Sequence, residues 1–179
     1  METTDARQAK LVICDQASDI TYIRLRQGWL YLAVVLDWYA RYIVSWALDQ
    51  TLQQPFVTAA VQHALTVATP DIWNSDQGSH FTSPQYTTLL TTAGVRISMD
   101  GRGRAFDNIF TERLWRTIKY EKVYLNEYAH PRDARIKLAR YVDFYTHERV
   151  HQALGYRTPA EVYCPAGGAS PLSTANFVS

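Results

Sequence analysis

From Ser18 onward the apolar positions change period several times, and each change marks an element. Asp19 to Arg26 alternates through Ile20 and Tyr22 before the turn signal Gln27-Gly28, which predicts a strand. Trp29 to Leu36 is an unbroken apolar run of strand length, as expected for a strand buried on both faces. Arg41 to Leu48, with Ile43, Val44 and Trp46, predicts a third strand, and the short connections make the three an antiparallel meander. The period then lengthens: Phe56, Ala59, Ala60, His63, Ala64 and Val67 fall at three-and-four spacing, which predicts a helix over Pro55 to Val67. Asp71 to Trp73 is a fourth strand, reached through a helical crossover and so expected to pair in parallel. Ser83 to Ala93 is a second helix closed by Gly94, and Val95 to Ser98 a last short strand. Two more helices are expected, one from Asp107-Asn108 to about Tyr120. The other runs from about Pro131 to Thr146 with Ile136, Leu138, Tyr141, Val142 and Tyr145 on its apolar side. The result is an α/β fold with a mixed five-stranded sheet flanked by helices.

Composition narrows this little. The chain has 179 residues, 47% hydrophobic and 20% charged, enough for one domain with a real core. Residues 1–17 carry little pattern and are expected to form a poorly ordered lead, 18–163 the core, and the Gly-, Ala-, Ser- and Pro-rich residues 164–179 a loose tail. The longest apolar run is too short to span a bilayer, no signal segment opens the chain, and Cys14 and Cys164 stand apart. A cytoplasmic, reducing setting fits these features, and no membrane partner is expected. A formal charge of +1 does not advertise a nucleic-acid binder. The basic residues are nevertheless gathered: Arg102, Arg104, Arg113, Arg116, Lys119 and Lys122 in one stretch, and Arg132, Arg135, Lys137 and Arg140 on the last helix. Such clusters supply the phosphate contacts that position DNA without reading its sequence.

The chemistry centres on Trp73-Asn74-Ser75-Asp76-Gln77-Gly78-Ser79-His80-Phe81-Thr82-Ser83. Here a strand delivers Asp76 to its C-terminal edge, Gly78 permits a sharp turn, and Thr82 or Ser83 offers an N-cap with Pro84 at the first helical position. Strand-to-helix corners are where open α/β sheets place ligands, although Asp is also an ordinary turn former. Two further carboxylates can be set around it: Asp19 at the head of the first strand, and Glu112 on a helix, with 35 residues between Asp76 and Glu112. Asn108, Glu112, Arg116 and Lys119 fall close to one face of that helix, while Leu114, Trp115 and Ile118 face the sheet. Spacing alone favours a solvated face with ordinary ion pairs.

In order along the chain stand Asp19-Ile-Thr-Tyr-Ile, Gly28-Trp-Leu-Tyr-Leu-Ala-Val-Val-Leu-Asp37 and Ser75-Asp-Gln-Gly-Ser-His-Phe-Thr-Ser83. Asp107-Asn108 with Glu112-Arg113 follows, then His147-Glu-Arg149-Val-His151-Gln-Ala-Leu154 with Thr158-Pro159. Together, over roughly residues 18–163, these resemble the DDE transposases and integrases of the retroviral-integrase superfamily, and most of all the catalytic subunits of bacterial insertion sequences. The resemblance implies a ribonuclease-H-like fold and metal-dependent phosphodiester hydrolysis and strand transfer at the ends of an insertion element. It implies Mg²⁺ or Mn²⁺, with Asp19 bridging two ions, Asp76 holding one and Glu112 the other. Hard carboxylate oxygens suit such ions. Arg102, Arg104, Asn108, Arg116 and Lys119 would contact DNA. The expected partners are element-end and target DNA, together with further copies of the chain or a separate DNA-binding transposase subunit.

The chain departs from the family pattern where Asp15-Gln16-Ala17 replace a usual tryptophan and Thr146 a usual asparagine. No upstream helical DNA-binding region is present, so a core cut from a longer ancestor by truncation is expected. A non-catalytic remnant that binds DNA or a full-length transposase is the rival reading, and a general nuclease of the same fold a third. Asp37 is expected to be a turn residue. Asp100 and Asp107 compete with Glu112 as the third carboxylate, Asp107 fitting a helix N-cap better. His80 could cap the corner or touch DNA, and His147, Arg149 and His151 could anchor the last helix.

Overall fold

The computed structural model describes residues 15–99 and 109–164. Five strands form one sheet: β1 (Gln16–Arg24), β2 (Trp29–Asp37), β3 (Ile43–Asp49), β4 (Ile72–Ser75) and β5 (Arg96–Met99), in spatial order β3-β2-β1-β4-β5. The first three pair antiparallel, whereas β4 joins β1 and β5 joins β4 in parallel, as the intervening helices require. α1 (Gln54–Val67) and α2 (Pro84–Thr92) make these crossovers; α3 (Ile109–Ile118) continues into a π-helical turn over Lys119–Val123. α4 (Pro131–His147), a 3₁₀ turn at Gln152–Leu154 and α5 (Pro159–Tyr163) complete the described chain.

The apolar run in β2 is buried on both faces, as its composition predicts, and each face meets its own core. On one side Leu30, Leu32, Val34 and Leu36 pack with Leu114, Trp115 and Ile118 of α3 and with Leu138, Tyr141, Val142 and Tyr145 of α4. On the other, Ala33 and Val35 pack with Phe56, Val57, Ala60 and Val61 of α1 and with Tyr86 and Leu90 of α2. Three layers result, helix on sheet on helix.

Several strand boundaries differ from expectation, β4 and β5 by one or two residues, and the starts of β1 and β3 for a physical reason. β1 begins at Gln16, because Gln16 and Ala17 pair with Trp73 and Asn74 in β4 while also pairing with Asp37 and Leu36 in β2. Asp19 is therefore a mid-strand residue opposite Val34, not a strand head. β3 starts at Ile43 instead of Arg41, because Arg41 sits in the left-handed region at φ 59° within the turn that links β2 to β3. Asp37 makes that turn: buried, it accepts the Ala40 N–H at 2.7 Å. The Thr158-Pro159 pair opens α5 through a reciprocal cap, in which Thr158 Oγ1 accepts from Glu161 N at 3.2 Å and Glu161 Oε2 from Thr158 N at 2.7 Å. α5 then stacks Tyr163 on Tyr42 with ring centroids 4.2 Å apart.

Candidate active site

Asp76 follows directly on the last residue of β4, at the corner the sequence predicts. Its Oδ1 accepts the Gly78 N–H at 2.7 Å. A Cβ at Gly78 would lie 2.8 Å from that same oxygen, so only glycine leaves the carboxylate its present seat. Ser83 caps α2, its Oγ accepting from Tyr86 N at 3.3 Å, with Pro84 in the first turn. The His80 carbonyl accepts from Gln54 Nε2 at 3.0 Å and from Ser83 Oγ at 3.0 Å, so at His80 it is the backbone that ties the corner to α1 and α2.

Asp19 is oriented from two sides. Its Oδ1 accepts the Ile20 N–H and its Oδ2 the Trp115 indole N–H, each at 2.7 Å. Trp115 was expected to pack on the sheet; it does, and it also fastens α3 to this carboxylate. A buried polar bridge sets β1 against β4 beside it: Ser18 Oγ meets Tyr86 Oη at 2.7 Å and accepts the Trp73 indole N–H at 3.0 Å. Burial pushes the Tyr86 phenol up to about 12, so it stays a neutral hydrogen-bonding group.

Burial raises the pKa of Asp19 above the ordinary aspartate value; the charges of Asp76 and Glu112 push it further the same way, while the Trp115 and Ile20 bonds oppose the rise. Asp76 at the β4 corner and Glu112 on α3 thus both act on the charge of Asp19 on β1. Among the described residues no three His, Cys, Asp or Glu side chains close into a ready-made metal cage. An open, all-oxygen set nevertheless fits Mg²⁺ or Mn²⁺, which keep several waters and share ligation with substrate phosphates. Glu112 is exposed in the first turn of α3, ahead of Arg116 on the same side. Lys119 lies in the π-helical turn, its Nζ 5.0 Å from the Tyr22 ring. Arg102, Arg104 and Asn108, with Asp100 and Asp107, lie outside the described residues. The second basic group is partly committed to the fold: Arg135 donates to the Leu48 carbonyl at 3.0 Å and Lys137 pairs with Asp133 at 2.9 Å.

The closing motif holds the helix that carries Glu112. Arg149 grips Glu121 of the π-helical turn with two bonds, at 2.6 and 3.0 Å, and the Tyr141 hydroxyl donates to the same carboxylate at 2.8 Å. His151 lies 3.3 Å from Arg149 Nη1 and packs edge-on to Tyr145. His147 meets the Asp143 carboxylate at 3.0 Å, within its own helix. Glu121 could have been sought from sequence, as an acid in a basic stretch, but nothing in the spacing links it to Arg149.

Burial and then the nearby Arg149 and Arg41 charges push the pKa of His151 down from 6.5 to about 4. The unfolded chain therefore takes up this proton first, and stability falls as pH drops from about 6.5 towards 4, with no further loss from this group below that. Glu121, whose pKa is lowered by Arg149, contributes only at the acid end of the range. For a half-exposed ring, on the order of 1 kcal/mol is expected after solvent screening. Urea melts of wild type and His151→Gln between pH 7 and 4.5 check this: the slope should flatten in the variant.

Comparison with known proteins identifies the family. Two models, each described as an integrase core domain, match residues 17–105 and 93–159. The chain is 30% identical over 146 residues to the transposase for insertion sequence element IS629 of Shigella sonnei, covering 80% of this chain and 49% of the relative. It is 31% identical over 147 residues to the transposase for insertion sequence element IS904 of Lactococcus lactis, covering 80% and 58%. The chain thus spans about half the length of the curated relatives it matches. In structure it resembles the HTLV-2 integrase catalytic core domain in complex with magnesium, with a TM-score of 0.69 at 16% identity, covering 86% of this chain and 99% of that one. It also resembles a chain of the simian T-cell lymphotropic virus intasome, with a TM-score of 0.72 at 16% identity, covering 97% and 65%. At such identities these likenesses carry the ribonuclease-H-like fold. Two overlapping integrase core-domain models and transposase relatives along most of the sequence lead to one conclusion: the chain belongs to the integrase core-domain family.

Proposed function

We propose that this chain is the catalytic core of a DNA strand transferase that moves an insertion element, cutting at the element's ends and joining the resulting 3′-hydroxyl to target DNA. The observation that carries the reading is Asp19 held from both sides, by the Ile20 N–H and by Trp115 of the helix that bears Glu112, with the charges of Asp76 and Glu112 acting on it. These three side chains would hold the divalent cations. Such ions, when bound, stabilise charge on both the entering and the leaving oxygen of a phosphodiester exchange. The protein's own part is positioning. Trp115 and Ile20 fix the direction of the Asp19 carboxylate, Gly78 seats Asp76, and the Arg149–Glu121 clamp sets the exit of α3. Arg116 and Lys119, one and two turns beyond Glu112, would take DNA phosphates. Water serves as nucleophile for cleavage and the freed 3′-hydroxyl for joining, with no covalent enzyme intermediate.

Further copies of the chain or a separate DNA-binding transposase subunit would supply recognition of the element ends. Among the described residues no helix is long and apolar enough to cross a membrane. An assay with labelled element-end duplex, target DNA and Mg²⁺ or Mn²⁺ tests the reading. Joined products support it. Nicks without joining would replace it with a general nuclease, and a folded protein that binds DNA without cutting it would make the chain a non-catalytic remnant.

A further inference from the structure

Glu112 stands in the first turn of α3, and helix ends fray unless something outside the helix holds them. Trp115 supplies one hold. It lies three residues on, on the same side of the helix as Glu112, and is bonded to Asp19. A single point leaves the first turn free to pivot. A second hold sits at Phe110, two residues before Glu112. The Arg41 guanidinium lies over the Phe110 ring, its Cζ 3.3 Å from the centroid, and the Trp38 ring meets Phe110 edge-on at 6.0 Å. Arg41 Nη1 also donates to the Trp38 carbonyl, and the Trp38 N–H to the Asp15 carbonyl at 3.0 Å. The first turn of α3 is thus gripped by the turn between β2 and β3, which is itself tied to the start of β1.

The backbone at Arg41 points the same way. Its turn is closed by the Asp37 N–H on the Tyr42 carbonyl at 2.9 Å and by Asp37 Oδ1 on the Ala40 N–H. It requires φ 59° at position 41, which glycine or asparagine adopts with less strain. Such outliers persist where the surroundings over-determine them, and they cluster at functional sites. What arginine adds over glycine is its side chain. That side chain is a planar cation over an aromatic face, half out of water, where the contact is stronger than at an open surface.

We propose that Arg41 is a positioning residue for the strand-transfer site: by clamping Phe110 it fixes the first turn of α3, and so the bearing of Glu112 towards Asp19. Phe110 and Trp115 bracket Glu112, and two holds on one rigid element set both its place and its rotation. The inference rests on the reading of Asp19, Asp76 and Glu112 as the cation centre. It adds a residue that acts on that centre through α3.

Arg41→Gly tests it, because glycine suits φ 59° and leaves the turn intact. The variant should melt within a few degrees of wild type. The amides of Arg113 and Leu114, which bond back to the first turn in a helix that starts at Ile109, should exchange with solvent about tenfold faster. Calorimetry at neutral pH should show Mn²⁺ binding about tenfold more weakly. Phe110→Leu should reproduce both changes, with little added when the two substitutions are combined. Phe110→Tyr, which keeps a ring face for the guanidinium, should match wild type. In a Glu112→Gln background Arg41→Gly should leave Mn²⁺ affinity where it stands, because the effect runs through Glu112. Wild-type exchange at Arg113 and Leu114 in both Arg41→Gly and Phe110→Leu overturns the proposal. So does a fall in Mn²⁺ affinity as large in the Glu112→Gln background as in wild type. Faster exchange with Mn²⁺ affinity unchanged, in a protein whose affinity does respond to Glu112→Gln, overturns it too and leaves Arg41 a packing role alone. Mn²⁺ affinity that ignores Glu112→Gln counts instead against the cation centre, and the exchange rates then decide whether Arg41 holds α3.

Discussion

Asp76→Asn is expected to reduce strand transfer by about a thousandfold or more, while the variant melts within a few degrees of wild type. The substitution keeps the size of the side chain and an oxygen able to accept from the Gly78 N–H, so the turn that Asp76 makes should survive. What it removes is one of the two negative charges that act on Asp19. Losing about 4 kcal/mol of transition-state stabilisation corresponds to that factor in rate. Because Asp76 is exposed beside the end of β4, the fold gains little from its charge. Parallel measurement of joined product and of the melting temperature separates the two effects. A comparable loss of both would mean that Asp76 is a structural turn residue and nothing more.

The largest effect on stability is expected at Trp115. Its side chain is 8% exposed and packs in the core between the sheet, α3 and α4. Trp115→Ala should cost about 3–5 kcal/mol through the cavity it leaves. Trp115→Phe separates packing from orientation. It fills most of the space but gives up the indole N–H on Asp19 Oδ2, a bond to a charged group of the kind that contributes about 1.5–3 kcal/mol. Denaturant unfolding of both variants measures the stabilities. Because the Trp115 bond holds the Asp19 pKa down against burial, the phenylalanine variant should also bind divalent cations more weakly at neutral pH. Equal cation affinity in Trp115→Phe and wild type would show that the indole serves packing alone.

The sheet was legible because β2 is apolar on both faces and because the crossovers through α1 and α2 demand parallel neighbours. The Asp76 corner was legible too, since a strand end, Gly78, Ser83 and Pro84 all restrict the backbone in the same direction. The start of β1 was not. Gln16 is polar, and only its pairing with Asp37 and with Trp73, both farther along the chain, makes it a strand residue. Helical spacing put Trp115 on the sheet side of α3 but could not show that its N–H ends on Asp19, 96 positions away in the chain. Glu121 escaped notice for the same reason, since its partner Arg149 is 28 positions distant. Periodicity reports which face of an element is buried; it carries no information on which polar atoms meet across elements. The positions of Asp76 and Glu112 were therefore open to reading from local chemistry, whereas the mid-strand place of Asp19 and the bonds that aim it were not.

The most direct test of the account is a calorimetric titration of Mn²⁺ into wild type and into Asp19→Asn, Asp76→Asn and Glu112→Gln, at neutral pH. If the three carboxylates form one centre, wild type binds the ion and every one of the three substitutions weakens binding about tenfold or more, about 1.4 kcal/mol each. Binding that survives all three substitutions, or responds to one alone, would contradict a shared metal centre at Asp19, Asp76 and Glu112.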